Sequence, residues 1–406
     1  MTAANQPLLP DHPDLPRWRS DTPAVEAGRI HLNNAGASLM PAPVLDAVLD
    51  HLKMEARMGG YEAADTAAAD LARTYELVAE LIGAAPHQIA LVENATAAFA
   101  QALSVFDFAP GDVLLTTRND YISNQLMYQS LAQRLGVRVV RAEDLPEGGV
   151  DPDSIRTLLL ALRPRLVAVT WIPTNSGLIQ PVAEIGAACA HQNVPFLVDG
   201  CQAVGQLPVD VKQVQCDFLS ATGRKFLRGP RGTGFLYVSQ RMLEQERFPL
   251  LIDMRGARWL EADAFLLDPT ARRFERWESA GALLLGLAQA ARYALDIGAA
   301  TIRDRVFALA DYTRNRLRAL PGVRVLDRGT QLCGIVTAEF AGHDARNIVQ
   351  SLREEAINTG ATLRELAVID MDDKRVASAL RVSPHYYNTQ REINILVSAL
   401  EQFAAP

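Results

Sequence analysis

The sequence has few cysteines, and their spacing argues against two kinds of structural site. Cys189, Cys201, Cys216 and Cys333 are the only cysteines among 406 residues, and no two of them form a CxxC pair. Structural zinc sites need closely spaced cysteine or histidine ligands, and disulfide frameworks belong mostly to small secreted chains. We therefore expect no metal site and a reducing, cytoplasmic environment.

The sequence also lacks a basic surplus and long apolar runs. The net charge is -7, with 21% charged and 49% hydrophobic residues, so a nucleic-acid-binding surface is not expected. An uninterrupted apolar run of about 18 residues, as a membrane span requires, is missing. The N-terminus has prolines and acidic residues where a secretory signal needs a basic start. These absences predict a soluble protein that binds neither nucleic acid nor membranes.

Short apolar runs alternate with helical stretches along the first part of the chain. Such continuous apolar runs are typical of parallel strands that helices cover on both faces. The pattern predicts an α/β fold whose large domain contains a mostly parallel, seven-stranded sheet. The seven predicted strands are Gln88–Val92, Asp112–Thr116, Arg138–Arg141, Leu166–Trp171, Pro195–Asp199, Phe218–Ala221 and Gly234–Val238.

The remaining segments predict the domain organisation. Residues 1–30, rich in proline and charge, are expected to run as an extended surface segment that packs with the small domain. Helical spacing over Pro43–Met58 and Asp65–Ile82 predicts two helices within a large domain of residues 31–280. A long helical stretch at 278–320 leads to a smaller C-terminal α+β domain, residues 281–406. Its predicted elements are strands Val323–Asp327, Cys333–Glu339 and Ala379–Val382 and helix His343–Ala356.

One lysine lies in an unusual setting between two predicted strands. Around Lys225 the chain reads ATGRKFLRGPRGTG, which offers a hydroxyl from Thr222, a guanidinium from Arg224 and glycine-flanked amides. A lone lysine in a loop is usually a solvated surface residue. Here the neighbouring groups can hold a phosphate while the lysine performs covalent chemistry.

A carboxylate follows the preceding predicted strand. Asp199 ends the run Pro195–Asp199, at the strand end where parallel sheets place their ligands. The carboxylate can equally be a helix cap. Together with Lys225, a second role is to keep the pyridine nitrogen of pyridoxal 5′-phosphate (PLP) protonated.

The two motifs resemble those of the class V aminotransferase and cysteine desulfurase family, D-x-x-Q and (S/T)-G-(H/R)-K. The resemblance runs from about residue 31 to 400 and implies the fold type I PLP-dependent transferase architecture with PLP as cofactor. It implies that Lys225 carries PLP covalently and is the catalytic residue, that Asp199 pairs with the pyridine nitrogen and that Gln202 bonds its phenolic oxygen.

The same resemblance assigns the rest of the cofactor site. Thr222 and Arg224 would hold the phosphate, although the family usually has histidine before the lysine. Ala95 and Thr96 would offer amides and a hydroxyl from a helix N-terminus to that phosphate. Tyr121 stands where desulfurases have a histidine that stacks on the cofactor, and a core tyrosine is the alternative interpretation.

A C-terminal motif implies the substrate class. The run RVSPHYYNT from Arg381 resembles R-x-S-x-x-x-Y-N-T, whose arginine grips a substrate α-carboxylate. The expected substrate is therefore an α-amino acid. Asn34, in the run Asn33–Gly36, resembles a substrate-loop residue, and Thr174 or, as a weaker candidate, Asn175 falls where desulfurases have an asparagine beside the ring.

The type of reaction is inferred from a cysteine that this sequence lacks. Desulfurases carry a loop cysteine in the segment that here reads NTGATLRELA, residues 358–367, and this segment has none. We therefore favour a lyase that cleaves a C–S bond of a cysteine-derived amino acid by β-elimination. An aminotransferase, an epimerase and a sulfur-transferring desulfurase remain alternatives, as does a fold that has lost catalysis.

The resemblance also implies a homodimer with active sites at the interface. Desulfurases receive a phosphate-binding G-T-P run from the partner subunit, and this chain has RWES instead. Ser279 would replace the threonine of that run.

Overall fold

The structure, a computed structural model, describes residues 11–404. Its strands are β1 (Ile30–His31), β2 (Ile89–Val92), β3 (Val113–Thr116), β4 (Arg138–Arg141), β5 (Leu166–Thr170), β6 (Phe196–Asp199), β7 (Phe218–Thr222), β8 (Gly234–Val238), β9 (Ala257–Glu261), β10 (Ala264–Leu267), β11 (Val323–Val325), β12 (Val336–Phe340), β13 (Ile357–Asn358), β14 (Gly360–Leu363) and β15 (Ser378–Val382).

Helices alternate with these strands. The α-helices are α1 (Leu15–Ser20), α2 (Pro23–Glu26), α3 (Ala42–Met58), α4 (Gly60–Thr66), α5 (Ala68–Ile82), α6 (Ala95–Leu103), α7 (Ile122–Leu135), α8 (Pro152–Leu162), α9 (Val182–His191), α10 (Val211–Val214), α11 (Gln240–Glu244), α12 (Gly281–Ile297), α13 (Ala299–Arg318), α14 (Ala345–Glu354), α15 (Val368–Lys374) and α16 (Gln390–Leu400). Short 3₁₀ turns lie at Pro86–Gln88, Ala271–Phe274, Arg364–Leu366 and Glu401–Phe403.

The central sheet confirms the predicted fold class. Its seven strands run in the order β2-β8-β7-β6-β5-β3-β4, and they are the seven strands that the apolar runs predict. Strand β8 alone runs opposite to the other six strands, since it is antiparallel to both β2 and β7. The middle strands are buried at every position because helices cover both faces, which is why they read as continuous apolar runs.

The register of strands β5, β6 and β7 places their last residues side by side. Thr170 at the end of β5 pairs with Asp199 at the end of β6, and Asp199 pairs with Ser220 in β7. Since these strands are parallel, their carboxyl ends meet at one edge of the sheet. Polar side chains therefore gather where the apolar strands stop.

Helix α12 packs mainly against α3 and α5. Leu77 of α5 joins Ala288 and Ala291 of α12 in one apolar cluster. The long α13 follows and contacts the strands of the C-terminal sheet. The division into domains at 280/281 stays a prediction.

The C-terminal sheet is antiparallel, in the order β11-β12-β15-β14. Its strand β12 begins at Val336, later than the predicted Cys333. Strand β14 lies where the sequence pattern gave no strand, and it pairs with β15 through Gly360 and Arg381. The resulting core includes Val336, Leu380 and Ile393.

The described part of the N-terminal segment, residues 11–30, is not extended. It forms α1 and α2, and Trp18 is completely buried against the edge of the Tyr386 ring, 5.2 Å between centroids. Arg19 also donates to the Tyr387 carbonyl over 3.0 Å. The buried Trp18 thus holds in place a segment whose proline and charge content predicts an extended surface segment. The first ten residues of the expected segment lie outside the described residues.

Strands β9 and β10 form an antiparallel hairpin that the sequence pattern also missed. Its apolar side chains face outward, with Trp259 78% exposed. Among the helices of residues 11–404, none has the length and apolar character needed to cross a membrane.

Candidate active site

A cavity of about 370 Å³ lies at the carboxyl edge of the central sheet. Residues from four separate chain segments meet there, as the register of the parallel strands dictates. The lining residues are Asn94, Ala95, Thr96, Tyr121, Asn124, Asp199, Cys201, Thr222, Arg224 and Lys225.

Lys225 lies in the loop between β7 and β8, and its side chain is buried. Burial lowers the pKa of its ammonium below the ordinary lysine value, and the positive charges of Arg224 and Arg381 add to this effect. The amine lies 5.6 Å from the centroid of the Tyr121 ring. A buried lysine with a lowered pKa suits nucleophilic and basic roles.

Asp199 ends β6 and points its carboxylate into the cavity. Its Oδ1 accepts from the Cys201 amide over 2.9 Å, and its Oδ2 accepts from Asn124 Nδ2 over 3.1 Å. The cap-like bond to Cys201 agrees in part with the helix-cap alternative, but no helix begins there. The carboxylate thus retains lone pairs for a ligand in the cavity.

The backbone at the start of α6 faces the cavity. Its capping residue Asn94 accepts from the Ala97 amide over 2.9 Å, which leaves the first amides of the helix, at Ala95 and Thr96, without helical partners. Such amides at the positive end of a helix attract an anion. This nine-residue helix can therefore serve a phosphate.

Thr222 and Arg224 also line the cavity. Thr222 Oγ1 donates to the Thr233 carbonyl over 3.1 Å, and Arg224 donates to the Gly36 carbonyl. Burial lowers the pKa of the Arg224 guanidinium. The Thr222 hydroxyl therefore donates its proton within the loop and cannot donate it to a ligand. Arg224 has further N–H groups that can donate to an anion.

Thr174 connects the cofactor motif with the C-terminal arginine. Its Oγ1 accepts from Gln202 Nε2 over 2.9 Å and from Arg381 Nη1 over 2.7 Å. Arg381 Nη2 also donates to Asn33 Oδ1 over 3.1 Å, and burial lowers the Arg381 pKa to about 10. The guanidinium still carries its charge near neutral pH.

Two residues predicted to bind substrate use their side chains elsewhere. Asn34 donates to the Ser383 carbonyl over 2.7 Å and accepts from Ser38 and Tyr387, so the neighbouring Asn33, not Asn34, faces Arg381. Asn175 donates to Asn119 and Asp370 rather than towards the cavity. Of the two candidates near the ring, Thr174 is the one beside Gln202.

Ser279 lies on the exposed stretch that precedes α12. It does not line the cavity of its own chain. Its expected phosphate contact, which the resemblance places in the partner subunit, stays a prediction.

Asp120 and Asn124 are polar residues of the site to which the sequence assigned no role. Asn124 Nδ2 lies within 3.2 Å of both Asp120 Oδ1 and Thr170 Oγ1, in addition to its contact with Asp199. Both follow β3, whose apolar run Val113–Thr116 ends just before them. The signal that could have found them is a cluster of polar residues after a buried strand.

The residues present fit PLP. The buried Gln202 Oε1 has no hydrogen-bond partner in the protein, so the site holds an unused polar atom next to the cavity. The charges of Arg224, Arg381 and Asp199 all act on Lys225, and the three basic side chains suit a dianionic phosphate together with a substrate carboxylate. The helix N-terminus at Ala95 also lines the cavity, where it can attract an anion.

Comparison with known proteins decides the family. The model of the family described as Aminotransferase class-V matches residues 30–396. The chain belongs to this family. Class V aminotransferases use PLP, and this chain is a PLP-dependent enzyme similar to cysteine desulfurases and C–S lyases.

Curated relatives cover nearly the whole class V chain. A probable cysteine desulfurase of Methanothermobacter thermautotrophicus is 28% identical over 95% of this chain and 97% of its own. A probable hercynylcysteine sulfoxide lyase of Mycobacterium tuberculosis is 29% identical over 95% of this chain and 92% of its own.

Solved structures share the fold. The apo cysteine desulfurase of Thermococcus onnurineus NA1 has a TM-score of 0.87 and 25% identity, over 100% of this chain and 99% of its own. A cystine C–S lyase in complex with its product cysteine persulfide has a TM-score of 0.85 at 24% identity, over 95% and 100%. The expected fold type I architecture is confirmed.

The four cysteines of this class V chain are all buried. Burial raises the thiol pKa of Cys189, Cys201 and Cys333 to about 12, and that of Cys216 still further. Near Cys201 the negative charge of Asp199 adds to the rise. Thiols with such pKa values are poor nucleophiles near neutral pH.

Proposed function

We propose that the protein is a PLP-dependent lyase that cleaves the C–S bond of a cysteine-derived α-amino acid by β-elimination. The observation that carries this proposal is that all four cysteines are buried and that Cys201, the one that lines the cavity, has a raised thiol pKa. Sulfur transfer requires a nucleophilic cysteine, whereas β-elimination requires only a base at the substrate Cα.

The segment that holds the loop cysteine in desulfurases supports this choice. Here it forms β14 and a 3₁₀ turn, followed by α15. Asp370 of α15 accepts from Asn119, Asn175 and Lys374 over 3.1, 2.7 and 2.7 Å. Strand β14 thus holds residues 360–363 of the segment within the C-terminal sheet, which does not suit delivery of a nucleophile from a mobile loop.

The chain's own residues supply binding and proton transfer. When bound, PLP withdraws electrons from the substrate Cα and so makes its proton removable. Lys225 Nζ, whose pKa burial lowers, is the base that takes this proton. Asp199 would hold the pyridine nitrogen, and Ala95, Thr96 and Arg224 would hold the phosphate.

Substrate orientation rests on Arg381. Its guanidinium is fixed by Thr174 and Asn33, and its Nε is buried without a partner. A guanidinium that retains free donors binds a carboxylate through two parallel bonds. The α-carboxylate would therefore lie against Arg381, with the Cα hydrogen towards Lys225.

The overall reaction balances without an external oxidant or reductant. The Cα–H and Cβ–S bonds break, the sulfur leaves as a thiol with one proton, and water converts the remaining three-carbon unit to pyruvate and ammonium. The relative named a probable hercynylcysteine sulfoxide lyase supports C–S cleavage.

The test is a product assay of the purified, PLP-loaded enzyme with L-cysteine, L-cystine and cysteine S-conjugates. Pyruvate and ammonium in equal amounts, abolished in Lys225→Ala, are expected. Product formed only with an added 2-oxo acid would instead support an aminotransferase, and solvent-deuterium exchange at Cα without product an epimerase. Alanine together with protein-bound persulfide would support a desulfurase.

We also propose that two copies of the chain assemble, with the active sites at the interface. Exposed apolar side chains of the β9–β10 hairpin, Trp259, Leu260, Phe265 and Leu266, support an interface there. Light scattering after size-exclusion chromatography should give the mass of a dimer, and Trp259→Asp should shift it towards 44 kDa. A wild-type monomer with full activity would rule this assembly out.

A further inference from the structure

A second buried carboxylate lies behind Asp199, and the proposed mechanism does not use it. Asp120 follows β3, is 5% exposed and accepts from several protein donors. The donors are the Tyr121 amide at 2.6 Å, Thr116 Oγ1 at 3.1 Å, Asn124 Nδ2 at 3.2 Å and Thr170 Oγ1. Donors on both oxygens stabilise the charged carboxylate and oppose part of the effect of its burial.

Asn124 joins this carboxylate to the one in the cavity. Its amide nitrogen lies 3.2 Å from Asp120 Oδ1 and 3.1 Å from Asp199 Oδ2. Burial raises the pKa of Asp120, and the negative charge of Asp199 adds to the rise, so the two carboxylates interact electrostatically. A buried polar network of this kind holds each of its members in one orientation.

We propose that Asp120 is a positioning residue for the cofactor, which orients the Asp199 carboxylate through Asn124 and adds a second negative charge behind it. The proposal rests on the proposed pairing of Asp199 with the PLP pyridine nitrogen. A second buried anion favours the protonated, cationic form of that nitrogen. Asp120 also fixes the Tyr121 amide, and Tyr121 lines the cavity.

Other charged and titratable groups surround the pair. Arg141 donates to Gln125 Oε1 over 2.5 Å, and Gln125 Nε2 lies 3.5 Å from Asp120 Oδ2. The neutral amide of Gln125 therefore lies between the Arg141 cation and Asp120. The Tyr128 phenol, whose pKa is raised mainly by burial and also by Asp120, stays protonated. On the cavity side, Lys225 and Arg224 are the cationic residues of the lining. None of these groups forms an ion pair with Asp120.

The test replaces the charge but keeps the shape. In Asp120→Asn the side-chain oxygen can still accept from Asn124 and the Tyr121 amide, and its new amino group can donate to the Thr116 hydroxyl. The matched control is Asp217→Asn, because Asp217 is a buried carboxylate that precedes β7, at the opposite end of the strand from the cavity, and binds Arg241. Asn124→Ala, which removes the bridge itself, is the second variant.

Two measurements need no turnover. The PLP dissociation constant is measured by fluorescence titration, and the protonation of the pyridine nitrogen by NMR of PLP labelled with ¹⁵N at that position. In Asp120→Asn and in Asn124→Ala we expect PLP to bind about tenfold more weakly and the nitrogen to lose its proton about one pH unit lower than in wild type. Asp217→Asn is expected to change thermal stability and neither measurement.

Each outcome bears on a separate claim. Wild-type ¹⁵N signals and a PLP dissociation constant within twofold of wild type in both site variants would overturn the role of Asp120. Equal changes in Asp217→Asn would overturn it as well, because the effect would then be one of general destabilisation. A wild-type enzyme that binds PLP with a protonated nitrogen but releases no pyruvate would contradict only the proposed lyase activity.

Discussion

Arg381 donates to Thr174 Oγ1 over 2.7 Å, and this bond holds the guanidinium before any substrate arrives. We predict that Arg381→Lys lowers kcat/KM by about 100-fold, mainly through KM, because an ammonium cannot bind a carboxylate through two parallel bonds. Thr174→Val keeps the guanidinium but removes the hydrogen bond that orients it, so we expect kcat/KM to fall by about tenfold or less. Steady-state kinetics with the best substrate of the product assay measures both. An unchanged KM in Arg381→Lys would contradict the carboxylate role.

The lowered pKa of Lys225 predicts the pH dependence of turnover. The amine must be neutral to accept the Cα proton, so kcat should rise with pH through a limb below the ordinary lysine value of 10.5. Removing the charge of Arg224 with Arg224→Gln removes one influence that lowers this pKa, and the limb should therefore move to higher pH. A kcat–pH profile under saturating PLP and substrate measures the shift. A limb that moves to lower pH would contradict this assignment.

Substitutions of Tyr121 distinguish a contribution of its ring to PLP binding from a contribution of its hydroxyl. Its ring lies within 5.6 Å of Lys225 Nζ and lines the cavity. Tyr121→Phe should keep PLP affinity within about twofold, whereas Tyr121→Ala should weaken it about tenfold, because ring contact supplies the binding energy. Fluorescence titration of PLP gives both constants. A large loss in Tyr121→Phe would show that the hydroxyl itself binds.

The buried thiols predict that no persulfide forms on the protein. Cys201 is the thiol that lines the cavity, and its pKa of about 12 leaves little thiolate at neutral pH. Cys201→Ala should retain pyruvate formation within about threefold, since the change removes only a small packed group. Thiol alkylation and mass spectrometry after turnover should find no extra sulfur on any of the four cysteines. Persulfide on Cys201 would favour the desulfurase alternative.

The anchoring of the N-terminal segment predicts a stability effect. Trp18 is completely buried, so Trp18→Ala should lower the free energy of unfolding by about 3–5 kcal/mol, and Trp18→Phe by less. Leu160→Ala, at a side chain 64% exposed, should change it by less than about 0.5 kcal/mol. Urea unfolding followed by circular dichroism measures the differences. Equal values for Trp18→Ala and Leu160→Ala would mean that α1 does not contribute to the core.

The seven central strands could be predicted because a buried parallel strand needs apolar side chains on both faces, and such runs are visible in the sequence. The hairpin β9–β10 could not be predicted, because its apolar residues are exposed and do not alternate with polar residues along the strands. Strand β14 was missed for a related reason: its pairing with β15 comes from a distant segment, and a four-residue strand carries little pattern of its own.

The helical N-terminal segment shows the same limit. Proline and charge in residues 11–30 read as a surface linker, but Pro23 begins α2 and one tryptophan suffices to anchor the segment. Proline is well tolerated in the first turn of a helix, so its presence predicts a helix start as readily as a loop.

The sequence by itself predicted the cofactor, because Asp199, Gln202 and Lys225 stand in motifs that resemble those of the class V family. These motifs follow adjacent parallel strands, whose carboxyl ends meet at one edge of the sheet. Only the tertiary structure decided which neighbouring side chains take part. Asn33 faces Arg381 while Asn34 binds Ser383, and Thr174 faces Gln202 while Asn175 binds Asp370. Successive side chains of an irregular or extended segment point in different directions, and the direction that reaches the cavity is set by the packing of segments far apart in the chain.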